Sequence, residues 1–65
     1  MDIETQIKEE LKQRRLTQLK QRYFSLELDL VALEAVGDIK GKEMTIERMA
    51  NVQRAYEAVE AIIIE

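Results

Sequence analysis

Few residues in this sequence could do chemistry. There is no His and no Cys, which removes the commonest metal ligand, the commonest general base and every thiolate reaction. Carboxylates and cations remain. Glu27 and Glu34 stand seven residues apart, two helical turns, so a helix would present both on one face. A carboxylate pair in that arrangement can serve acid–base work or hold a metal. Carboxylate sites in helical bundles add His or further acids, however, and the Glu-x-x-His pattern cannot occur here. The structural reading is preferred: Glu34 reaches solvent near a chain reversal, and Glu27 pairs with Arg54. The stretch "GDIKGK" (37–42) has no preceding strand and no Ser or Thr after its Lys, so it is a turn and not a phosphate-binding loop. No catalytic, metal-ligating or cofactor-binding residue is assigned, no cofactor is expected, and the chain is read as non-enzymatic.

The cations give the main functional rival. Lys8, Lys12, Arg15 and Lys20 form one basic stripe suited to a polyanion or a protein partner. Phosphate contacts from such a stripe would add salt-dependent affinity, and a basic amphipathic helix can also lie on an anionic membrane surface. Three features weigh against it. The net charge is −3, and Glu4 and Glu10 stand four residues before Lys8 and Arg14, the favourable order for helical ion pairs. Tyr23 and Phe24, the aromatics near enough to stack on bases, sit where packing needs them. A nucleic-acid-binding dimer is therefore the second reading, behind a protein-interaction module.

The elements that carry these residues follow from the apolar pattern. With no Pro in the chain and both glycines between Val36 and Lys42, one break divides two helical segments. Ile3, Ile7, Leu11, Leu16, Leu19, Tyr23, Leu26, Leu30 and Leu33 recur at helical spacings and read as one continuous stripe. From Leu16 onward the intervals alternate three and four, the heptad seam of a coiled coil. Helix 1 is expected over about 2–36, with Gly37 as its C-cap, and a turn over 37–44. Thr45 reads as the N-cap of helix 2, expected over about 46–64, with Met44 and Met49 as a hydrophobic staple. Met49, Val52, Tyr56, Val59 and Ile63 supply the second seam. The fold class is all-α: an antiparallel hairpin of a long and a shorter helix, assembling as a dimeric four-helix bundle.

Dimerisation is inferred from size and mismatch. Sixty-five residues without disulfide or metal leave a single domain marginal unless something else covers it. The shorter helix is expected to reach back only to about Leu19, leaving Ile3, Ile7, Leu11 and Leu16 to a second chain. Phe24, Leu28 and Val31, followed by Ala35, add an apolar line beside the main stripe, making the arc too wide for one partner helix. Self-association is therefore assigned to Ile3, Ile7, Leu11, Leu16, Leu19, Tyr23, Phe24, Leu28 and Val31, giving a homodimer that also meets an unidentified protein partner. Ile62, Ile63 and Ile64 point three ways on a helix, so the end either frays or packs on the overhang of helix 1. Ala50, Ala58 and Ala61 form an outer face attributed to helix propensity. The acidic "MDIE" start lacks a signal peptide's basic and apolar regions. No apolar run approaches the ~20 residues that span a bilayer. A cytoplasmic protein is expected.

Overall fold

The computed structural model describes residues 2–64, which form two antiparallel helices, α1 (Ile3–Val36) and α2 (Ile39–Glu60). Asp2 caps α1, its carboxylate accepting the Glu4 N–H at 3.2 Å, and Glu4 adds negative charge to the positive end of the dipole. Helix α1 runs 34 residues and sets the 53 Å long dimension of the chain.

The reversal is tighter than the sequence suggests. Gly37 takes a left-handed conformation, φ 72°, that a Cβ would disfavour. Its N–H donates to Glu34 O at 3.2 Å, and the Asp38 N–H donates to Leu33 O at 3.0 Å, the paired bonds of a Schellman stop. Asp38 then starts the next helix at once, its Oδ1 accepting the Gly41 N–H at 2.8 Å. The turn expected over 37–44 is thus two residues long, and α2 begins at Ile39 instead of 46. Asp38, not Thr45, is the N-cap.

Thr45 lies inside α2, 6% exposed, its hydroxyl donating to Gly41 O at 2.9 Å. Met44 lies within the helix and is half exposed, so it staples nothing. Gly41 is not a break either. A Cβ there would fall 2.6 Å from Asp38 Oδ2 and 3.0 Å from Leu33 Cδ2, so Gly lets the cap and α1 close against the first turn of α2.

The far end also differs. Helix α2 stops at Glu60, and the backbone over 62–64 is irregular. Three consecutive β-branched residues are poor helix formers. Lys12 Nζ meanwhile takes the carbonyls of Glu60 and Ile62, at 2.9 and 2.7 Å, satisfying helix-end acceptors from the side.

The earlier start gives α2 22 residues, about 33 Å, and carries its end past Leu16 to Lys12. Leu16 and Leu19 are 6% and 5% exposed and, with Val52 at 7%, make the buried apolar core. Tyr23, Leu26, Leu30, Leu33, Met49, Tyr56 and Val59 are half-buried around them. Leu16 and Leu19, expected to face a second chain, are therefore covered by α2, and Tyr23 is half covered. Ile3 and Ile7 leave the stripe for a geometric reason. At 100° per residue they sit about 160° and 120° from Leu19, on the back of α1, and they are exposed.

Candidate interaction surface

Three pairs fix the antiparallel register: Lys42 with Glu34 at 3.3 Å, Lys20 Nζ 5.5 Å from the Tyr56 ring centroid, and Lys12 with Glu60 O. That register sets Ile46 level with Leu28, and Gln53 level with Arg22. It also turns Arg54 about 160° from Val52 on α2, away from α1. The expected Glu27–Arg54 pair does not form; Arg54 donates to Asn51 Oδ1 instead. Among the described residues the ion pair that closes is Lys42–Glu34, and neither Glu4–Lys8 nor Glu10–Arg14 does.

The basic stripe is divided by α2. Lys12 is half-buried and bonded to backbone carbonyls, and Lys20 lies over Tyr56, within cation–π range. Lys8 and Arg15 flank a groove floored by Leu11 and walled by Val59 and the 62–64 segment. Ile64 is half-buried there, while Ile63 stays 84% exposed. Of the three isoleucines, Ile64 packs on the first part of α1, while Ile62 and Ile63 remain exposed.

No family model, curated protein or solved structure matches the chain. Exposed apolar side chains are the dominant feature of the surface.

Phe24, Leu28 and Val31 are 59%, 57% and 66% exposed, so α2 leaves this line uncovered. The three fall within about 60° of one another, roughly 140° from the core line of α1. A groove of about 490 Å³, lined by Leu19, Lys20, Tyr23, Val52, Gln53, Tyr56, Glu57 and Glu60, runs along one side of the hairpin. Ile46 precedes Gln53 by two turns and continues the α2 side of that groove, half exposed. Phe24 is turned a further 40° or about that beyond Lys20, and Leu28 lies about 180° from Leu19, so the Phe24–Leu28–Val31 line sits on the back of α1, directed away from α2. Lys42 and Glu34 stand at the turn end of the groove side, and Glu57 and Glu60 at the open end.

The sequence pattern showed the apolar line on the back of α1 but not the exposure of Ile46. With helix 2 taken to begin at 46, that residue read as part of a first turn. The signal was Asp38, three residues before Gly41, an N-cap spacing hidden by reading both glycines as helix breakers.

The area is large for the mass. The chain exposes 5323 Å², where a compact 7.6 kDa monomer exposes about 4,300 Å². The excess, on the order of 1,000 Å², resembles one side of a standard protein interface, about 800 Å². The Cα radius of gyration is 15.7 Å, against about 11 Å for a compact domain of this length.

Among the described residues no group of three or more acids, His or Cys is placed to hold a metal, and no helix is long and apolar enough to cross a membrane.

Proposed function

We propose that the protein is a non-enzymatic helical interaction module that self-associates and, as the assembled unit, serves a larger protein partner as adaptor, inhibitor or assembly factor. One observation carries this reading. Among the described residues, three large apolar side chains are buried while twelve are exposed, a balance that leaves a lone hairpin with too little interior to offset chain entropy. Burying a large side chain is worth ~1.5–3 kcal/mol, and the exposed set is the reserve a second chain would use. The dimeric four-helix bundle is the simplest closed form, because two-fold symmetry matches one apolar face with its own copy. The engagement of Lys12 and Lys20 by α2 favours this reading over the polyanion one.

Light scattering across a concentration series tests it. A mass above the monomer at tens of micromolar is expected, and a strict monomer there refutes self-association. In the same samples, a mobility shift with duplex DNA or RNA at ~50 mM salt is expected to show no retarded species. Affinity purification from the native cell then identifies the larger partner.

A further inference from the structure

We propose that the larger partner docks a helix on the side of the hairpin that carries Lys8, Arg15 and Arg22, and that this helix presents carboxylates at seven-residue intervals. This rests on the protein-partner part of the reading above and adds the surface and its chemistry.

The row is what α2 leaves free. Lys12 donates to the carbonyls at the end of α2, and Lys20 lies over Tyr56. Lys8, Arg15 and Arg22 stand seven residues apart, so they keep nearly one direction, about 20–60° to one side of the core line of α1, and span about 21 Å. All three are exposed, and among the described residues none of them closes an ion pair or a hydrogen bond. Asp29, the next position in the row, ends it.

Helix α2 offers the row no acid. Glu57 and Glu60 line the groove on the opposite side. On the row's own side α2 turns Ala55, Ala58 and Val59, short side chains that let a third helix come close. Leu11, Val59 and the 62–64 segment form a groove of about 420 Å³ there, which Lys8 and Arg15 flank. An apolar floor with a cationic edge suits an amphipathic helix, its apolar ridge in the groove and its acids on the cations. Charges that flank a helical seam in this way select the partner. A phosphate backbone would meet the cations but leave the apolar floor unused, and the net charge of −3 opposes it. A second copy cannot supply the match, because no three acids in this sequence stand at successive seven-residue intervals.

Fluorescence anisotropy with a labelled three-heptad peptide tests the site. The peptide carries Leu on its seam and Glu at both flanking heptad positions, so either direction presents a row of acids and like charge keeps it from self-pairing. Binding is expected at ~50 mM salt and should weaken severalfold at ~300 mM. Arg15→Glu/Arg22→Glu should weaken it on the order of tenfold and should bind instead the same peptide with Lys in place of Glu. Lys40→Glu/Arg54→Glu changes the net charge equally but elsewhere on the chain, and should stay within about twofold of wild type. All four side chains are exposed, so helix content by circular dichroism should hold. No binding of the acidic peptide, equal losses in the two double variants, or equal binding of the Lys peptide by wild type would each overturn the site. So would duplex DNA binding more tightly than the peptide through the same two arginines. A partner purified from the native cell that holds Arg15→Glu/Arg22→Glu as firmly as wild type would overturn the site while the interaction reading stands; a wild type that holds none would sink that reading itself.

Discussion

Lys12 is the most instructive residue to perturb, because its two readings differ measurably. As a member of an exposed basic stripe, its replacement would change stability by no more than about 0.5 kcal/mol. As placed here, Nζ donates to the carbonyls of Glu60 and Ile62, holding the end of α2 against α1. Lys12→Met keeps most of the aliphatic stem and removes the charge and both bonds. Hydrogen bonds from a charged donor are worth roughly 1.5–3 kcal/mol each when shielded; these are open to solvent, so the pair is discounted to about 1 kcal/mol. The favourable cation at a helix C-terminus adds about 0.3–1 kcal/mol. The expected loss is about 1–2 kcal/mol, which in a chain of this size lowers Tm by roughly 5–15 °C. Urea denaturation of both proteins at one fixed concentration measures it, since any association couples stability to concentration. Hydrogen exchange should show the lost protection concentrated in the last turn of α2. Lys8→Met, which removes a flanking cation, should stay within about 0.5 kcal/mol of wild type. Stability of Lys12→Met within about 0.3 kcal/mol of wild type, with unchanged exchange at Val59–Ala61, would refute the clamp.

Other perturbations probe the core and the turn. Leu19→Ala should cost about 2–5 kcal/mol, and because so few side chains are buried, circular dichroism should show the chain largely unfolded at 37 °C. Asp38→Ala removes the N-cap of α2 and should lower stability by about 1 kcal/mol in urea melts. Gly41→Ala gains about 1 kcal/mol of helix propensity, but its Cβ displaces that same cap and crowds Leu33, so it should not stabilise; a Tm rise of several degrees would show that the cap yields freely.

The legible parts of the molecule were those encoded by local spacing. The seam from Leu16 to Leu33 fixed the core side of α1 because intervals of three and four keep a constant direction. Gly37 was readable as a stop because few residues tolerate a left-handed backbone. The uncovered Phe24–Leu28–Val31 line was readable as an arc wider than one helix can cover.

What stayed hidden depended on three-dimensional proximity. Gly41 is favoured by how close the Asp38 and Leu33 side chains come, which no propensity scale contains. Lys12 is held by backbone carbonyls almost fifty positions away, a contact with no side-chain signature at the other end. The Ile3–Ile7–Leu11 run looked continuous with the seam because its steps of four resemble helical spacing. Each such step rotates the face by about 40°, and the error accumulates toward the N-terminus.

The two-residue turn also bears on the order in which the hairpin assembles. Asp38 ends one helix and begins the other, so nascent α1 and α2 meet at Leu33 and Gly41 with almost no loop to close. Pairing can then advance from that point toward the open end, each step enlarging the closed segment by only a few residues. Such a zipper has low contact order and belongs to the microsecond-to-millisecond class of folding reactions. Lys12 and Glu60 make the last link, 48 positions apart in sequence. Unzipping from the open end would release that link first and bring Leu16 to water before the rest of the core.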